Sequence, residues 1–496
     1  MGAATSFSFS FVHTFGILKH IASSVLRREA ERIPGGIVIE PFTVTKKQAV
    51  QWLAVLLAFA FLVRVCAGLL YYNTFDLAWY RTWALDLQNG FFDCYSRMME
   101  GRYALDYPPV YLVFLAFVGW LYSLLPILDY GMTDMIAMKF FPILFDVLAG
   151  LMLYFLIRRQ SETLGVLAAA LWALNPTAIF NSAYWGQTDG MMICLLLLSF
   201  YMVDNGRPLL GSVLFAVTAL TKMQALYFTP VLFLVLWRRY SLQRALEGFF
   251  SALGTGVAAF LPFIIGGWKN RGAAALLTPF EVYFGGLGKY PYIALNTYNL
   301  YGIGNLNWVP DNRSLLFGVL DEEQGYRTGG FTFSHLSLLF MAAVLALTVY
   351  LVWKGRKDVS LWLGCFVLMQ GLFMLTTRMH ERYQIAVLPF AAMLYLLTRR
   401  GRWLGIFASL SAVTFVNQFM LLIRNNTIND PAAPWSPLFE PVQSVMSAVN
   451  LALFAWSLYE AWRLAFSEPE CKPAEEAAPS PAPECAAAEG KDGLTR

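Results

Sequence analysis

Hydrophobic positions along this chain fall into long unbroken runs, not into the alternating or three-and-four spacing of a half-buried strand or helix. Runs near 50–72, 135–157, 162–181, 189–204, 208–222, 224–237, 248–268, 331–353, 359–376, 383–398, 403–423 and 441–463 approach the ~20 residues that an α-helix needs to cross a bilayer. They predict an all-α polytopic membrane protein of about twelve transmembrane helices.

A thirteenth run, 108–128, decides the topology. If it spans, Arg158-Arg159, Arg238-Arg239, Lys354-Arg356-Lys357 and Arg399-Arg400-Arg402 face away from the cytoplasm. If it lies in the outer interface, all of these clusters join Arg27-Arg28 and Lys46-Lys47 on the cytoplasmic side, as positive charge in short loops prefers. The expected layout is therefore a cytoplasmic amphipathic segment over 1–48 and a membrane domain over 49–465. That domain carries outer loops 73–133 and 269–330, the first holding an interfacial helix, and a disordered cytoplasmic tail follows over 466–496. The chain ends would both be cytoplasmic and the working face would be the outer one, in the cytoplasmic membrane of a bacterium.

Composition narrows the class. With 58% hydrophobic and 14% charged residues, a soluble core is excluded, the bilayer is the solvent, and a net charge of only +4 gives no support for nucleic-acid binding. Six scattered cysteines show neither CxxC spacing nor a disulfide framework. No HExxH or His/Cys ligand set is present, so neither a metal nor a cofactor is expected.

Candidate chemistry gathers in a few short stretches. Arg378-Met379-His380-Glu381-Arg382-Tyr383 sets four charged or chargeable side chains between two apolar runs, where a charge costs ~2.5–3.5 kcal/mol at mid-bilayer and marks function by default. Arginine's planar fork suits phosphate. Arg378, His380 and Arg382, with Lys222 from Lys222-Met223-Gln224, are read as a phosphate-holding set oriented by Glu381; the alternative is a row of snorkelling anchors. Asp76 lies just past the first run and can act as a general base, or simply cap the helix that follows. Trp185-Gly186-Gln187-Thr188-Asp189 can stack on a sugar and bond its hydroxyls through Trp185, Gln187 and Asp189, or serve as interface anchor and cap. Gln224 would line the donor groove.

Phe75-Asp76, Trp83-Ala84, Asp106-Tyr107-Pro108-Pro109, Asn175-Pro176, Trp185-Gly186-Gln187-Thr188-Asp189, Lys222-Met223-Gln224, Asn296-Thr297-Tyr298-Asn299-Leu300 and Arg378 through Tyr383 follow in this order. The series resembles the multi-spanning glycosyltransferases of the GT-C superfamily. It is most similar to bacterial relatives of the mannosyltransferase that adds the second mannose of GPI anchors, and the Asp-Tyr-Pro-Pro and His-Glu elements are also similar to lumenal glucosyltransferases of N-glycan assembly. The resemblance covers roughly 50–425. It implies a hexosyltransferase, mannose favoured over glucose, that takes its sugar from a polyprenyl-phosphate carrier on the non-cytoplasmic face. Inversion would be assisted by a base at Asp76, with phosphate contacts from the His-Glu loop. Tyr107 and Asn299 join the sugar- or acceptor-binding set through their motifs, while the acceptor, whether glycan, lipid or protein, is left open. The rival class is a transporter or flippase of a lipid-linked or anionic substrate; inverted repeats would favour it, and the sequence has none.

Overall fold

The computed structural model describes residues 44–71, 73, 75–98, 104–125, 131–313, 315–321, 326–427 and 433–467. The amphipathic segment expected over 1–48 and the tail expected over 466–496 lie, but for a few residues, outside the described residues.

The chain is an α-helical polytopic membrane protein. Six helices are long and apolar enough to cross a bilayer: Lys46–Gly68, Met132–Ile157, Leu242–Gly285, Phe333–Lys354, Gly401–Thr427 and Ser436–Phe466. The pair Glu162–Ala173 and Pro176–Trp185, bent by 48°, can serve as a seventh. The bend has a local cause. Pro176 has no N–H and disfavours helical geometry in the residue before it, and Asn175 restarts the helix by accepting a bond from the Thr177 N–H at 2.9 Å.

The remaining apolar runs form shorter helices, Asp189–Asp204, Pro208–Ala219, Thr229–Arg239, Ser360–Leu375 and Leu388–Thr398. A 12-residue helix rises only about 18 Å, against a hydrocarbon core of about 30 Å. Their burial explains how they persist. Every residue of Ser360–Leu375 except the last is buried, so these helices form the centre of the bundle while longer ones such as Phe333–Lys354 face outward.

Successive helices run between two ends. One end collects the basic clusters. There Arg399 donates to Gln160 Oε1 at 3.3 Å, Arg238 to the carbonyls of Val352 and Gly355, and the Arg356 N–H to the Ala465 carbonyl at 2.9 Å. The first described residue, Val44, joins this end by bonding Thr163 Oγ1 at 3.1 Å. The other end holds the long connections. Asp76–Asp86, Pro109–Leu124 and Thr278–Gly288 pack there around a second core that includes Leu77, Tyr80, Trp83, Leu115 and Phe263. Pro109–Leu124 crosses Asp76–Asp86 so closely that a Cβ on Gly119 would fall 2.0 Å from the Ala84 carbonyl oxygen. An antiparallel hairpin, Leu315–Asp321 with Tyr326–Thr332, departs from the all-α expectation. Its first strand, Leu315–Asp321, is mostly apolar and its second mixes aromatic residues and Thr with Gly, a pattern hidden inside what reads as one long loop.

Candidate active site

The short helices stop where the long connections begin, and the gap is a cavity of about 510 Å³. Three breaks in the helical ladder form its floor: the chain after Trp185, the turn at Thr221–Gln224, and the segment 376–382. Backbone without helical bonding is tolerated at membrane depth only where it is buried in protein or lines a wet cavity.

Asp76 lies on this cavity. The helix begins at Asp76 itself, and its free N–H groups are taken by Asn73, whose Oδ1 accepts from Phe75 N at 2.9 Å and Asp76 N at 2.8 Å. Asp76 is therefore not the cap. Its Oδ2 accepts from Trp185 Nε1 at 2.8 Å and Gln187 Nε2 at 2.9 Å, and its Oδ1 takes no hydrogen bond among the described residues. The donors are aimed by a π-helical turn, Phe180–Trp185, closed by Gly186 at φ +87°, which a side chain would strain.

Beneath this pair lies Lys139, fully buried, which donates to the carbonyls of Gly68, Tyr71 and Tyr184. Gly68 ends the first helix, where carbonyls lack partners and a cation is favoured. One ammonium thus ties the segment leading to Asp76 to the segment leading to Trp185.

Each cation in the floor already has a carboxylate beside it. Lys222 bonds Asp189 Oδ1 at 2.6 Å, both side chains about 2% exposed. Arg382 Nη1 bonds Glu381 Oε1 at 2.8 Å, and its guanidinium lies 5.5 Å from the centre of the Trp185 ring. The Arg382 Nε is buried 3.9 Å from Asp189 Oδ2, and Nη2 makes no hydrogen bond among the described residues, so Nη2 is the donor atom left for a ligand. Burial draws the Arg382 value down, but Glu381, Tyr383, Asp76 and Asp189 together more than offset this and hold it charged. Burial also pushes the His380 imidazole below its ordinary value, against the pull of Glu381 at 3.7 Å. His380 therefore offers hydrogen bonding, not charge, at neutral pH.

The other expected residues divide. Tyr107, Gln224 and Glu381 line the cavity; Tyr107 bonds Tyr80 across 2.9 Å and Gln224 bonds the Tyr383 hydroxyl at 2.7 Å. Gln187 and Asp189 lie behind the wall and act on Asp76 and Lys222. Arg378, expected with His380, Arg382 and Lys222 to hold phosphate, reaches the wall with its Nε and Nη2 turned into Asp311 at 2.8 and 3.1 Å. Asn299 is placed elsewhere. Its Oδ1 caps the turn Leu300–Gly304 through Tyr301 N and Gly302 N, its Nδ2 donates to the Phe373 carbonyl, and it does not line the cavity.

Several lining residues escaped the sequence reading. Asn73 is one, although an Asn three residues before Asp76 is ordinary capping spacing. Lys289 is another, paired to Asp106 at 2.7 Å and lying 4.2 Å over the Trp79 ring. Its position in a loop carries no periodic signal.

With this geometry in view, residues 105–278 match the model of glycosyltransferase family 87. The match supports a membrane glycosyltransferase of the GT-C type. It spans about a third of the chain, taking in Tyr107, Trp185, Gln187, Asp189, Lys222 and Gln224 but neither Asp76 nor 376–383. No curated protein matches the chain.

Proposed function

We propose that the protein transfers a hexose, mannose in the first instance, from a polyprenyl-phosphate-linked donor to an extracytoplasmic acceptor with inversion at the anomeric carbon. The observation that carries this reading is the Asp76 carboxylate, anchored through one oxygen by Trp185 and Gln187 while the other is left unbonded on the cavity. An acceptor hydroxyl attacks the anomeric carbon and passes its proton to Asp76 as the new C–O bond forms. The bond from that carbon to the phosphate oxygen breaks, and the phosphate leaves with the electron pair toward Arg382 and Lys222. A charge-assisted bond from the unengaged Arg382 Nη2 stabilises it where charge develops.

A lipid carrier fits the surroundings. An apolar groove of about 610 Å³, lined by Phe215, Leu220, Leu226, Leu253, Phe260 and Phe284 among others, runs between Pro208–Ala219 and Leu242–Arg271. Its lining residues Leu220 and Leu226 flank Lys222–Gln224 of the cavity floor along the chain, so a prenyl chain in the groove would bring its phosphate toward Lys222.

The topology that goes with this reading has twelve spans, short central helices included. The described ends of the chain, Val44 and Ser467, lie at the basic end, cytoplasmic in this reading, and Pro109–Leu124 lies in the outer interface with Val113, Phe117 and Trp120 toward lipid. The test is incubation of the purified protein with a panel of polyprenyl-phosphate sugars, scoring sugar transfer and release of the polyprenyl phosphate. Turnover of polyprenyl-phosphate mannose above the glucose donor is expected; absence of turnover with every lipid-linked donor, or use of a soluble nucleotide sugar instead, defeats the reading.

A further inference from the structure

Five non-glycine residues among those described have positive φ, and three of them, Asn296 (56°), Trp308 (61°) and Arg378 (62°), line the one cavity just described. A left-handed conformation costs a residue with a Cβ roughly 1–2 kcal/mol, and such strain collects at ligand sites when the surrounding structure enforces it. Here it is enforced by a strap. The Trp308 N–H bonds the Ala294 carbonyl at 3.0 Å, the Arg378 N–H bonds the Tyr292 carbonyl at 3.0 Å, and Asn296 N bonds Asn307 Oδ1 at 2.8 Å.

The strap holds the Trp308 ring 47% exposed on the cavity, beside the amides of Asn296, Asn425 and Asn426. Their oxygens are partly engaged: Asn296 Oδ1 accepts from Arg424 at 2.7 Å and Asn426 Oδ1 from the Tyr71 hydroxyl at 3.1 Å. The Nδ2 groups of Asn296 and Asn426, and the whole Asn425 amide, make no hydrogen bond among the described residues. Arg378 of this wall is paired with Asp311, and Arg424, which donates to Asn296, does not line the cavity. An open aromatic face with neutral amide donors matches a ligand with an apolar ring face and hydroxyl edges. Tyr71 links the wall to the Asn73–Asp76 segment, which puts such a ligand beside the base.

We propose that Trp308, Asn296, Asn425 and Asn426 form the acceptor subsite and that the acceptor is a neutral carbohydrate whose terminal ring stacks on Trp308. The assignment rests on the transferase reading above. It is tested by saturation-transfer NMR on the full chain in lipid nanodiscs, with methyl α-mannoside and α-linked mannobiose as probes and a methyl glucuronide and a capped serine tripeptide as controls. The variant is Trp308→Gly, because glycine adopts this φ freely and removes the ring while relieving the strain. Saturation of neutral sugar ring protons is expected in the native protein and a drop of at least fivefold in Trp308→Gly, with its melting temperature at or above native. Equal saturation in Trp308→Gly, or stronger signals from the glucuronide or peptide, overturns the assignment. Donor turnover by native protein with no sugar saturation overturns the subsite alone, whereas sugar binding without turnover of any lipid-linked donor brings down the transferase reading and the acceptor role with it.

Discussion

Asp76→Asn and Asp189→Asn are the same chemical change at one carboxylate on the cavity and one behind its wall, and the structure assigns them opposite costs. At position 76 the helix start is held by Asn73, so the cap survives. An amide oxygen can still accept from Trp185 and Gln187, and what is lost is the charge assistance of two bonds. A bond to an ionised group contributes about 1.5–3 kcal/mol and a neutral one about 0.5–1.5, so over two bonds the stability loss should be about 2–3 kcal/mol. The kinetic loss should be far larger, about 10²–10⁴-fold in transfer rate, which is about 2.7–5.4 kcal/mol of barrier. At position 189 the balance reverses. Removing the partner of a Lys222 that is about 2% exposed leaves a buried charge uncompensated, at about 3–5 kcal/mol. Transfer rates with a saturating lipid-linked donor, read beside thermal unfolding in the same detergent, separate the two. Near-native transfer by Asp76→Asn, or a larger melting loss in Asp76→Asn than in Asp189→Asn, refutes the assignment of the base.

Lys139→Met keeps the apolar stem and loses three bonds to carbonyls, so kcat should fall ten- to a hundredfold with donor KM within about twofold of native, while Lys139→Gln recovers part of the rate; equal kcat losses in the two variants would make Lys139 a packing residue only. Arg382→Ala should weaken donor use about ten- to a hundredfold, the value of one charge-assisted bond, beside a melting loss from leaving the buried Glu381 unpaired; native donor kinetics would remove Arg382 from the phosphate. His380 binds its proton less readily folded than unfolded, so its contribution to stability is present above the ordinary value near 6.5 and lost as pH falls below it. Native protein should therefore lose melting temperature relative to His380→Gln between pH 7 and 5, and parallel curves would contradict this. Gly285→Cys, where a side chain meets nothing within 4 Å, should react with an impermeant maleimide from outside, whereas Lys357→Cys at the basic end should react only after permeabilisation; the reverse pattern inverts the topology.

The long outward-facing helices were legible because lipid demands an uninterrupted apolar run, and Phe333–Lys354 falls within two residues of its expected bounds. The hairpin at Leu315–Asp321 was not, since its apolar stretch is too short to span and lies inside a polar loop. In the site, Asp76, Lys222 and Arg382 were legible as charges that a membrane does not tolerate idly. Their partnerships were not: Arg378 meets Asp311 across 67 residues and Lys289 meets Asp106 across 183, distances over which sequence carries no pairing signal. Asn299 misled for a related reason, because the same amide serves as a cap or as a ligand donor and only the fold decides which.

The short central helices also bear on how the protein is made. Ser360–Leu375 and the segment from Tyr383 to Thr398 each fall below the length that stabilises a helix alone in a bilayer, and they flank the most charged turn of the floor. Emerging from the ribosome, neither can hold Arg378, Glu381 and Arg382 at depth by its own hydrophobicity. Asp311, the partner of Arg378, and Asp189, 3.9 Å from Arg382, are already synthesised by then, so a substitution at either aspartate should slow membrane integration of residues that follow it far along the chain, read as delayed protease protection of 360–398.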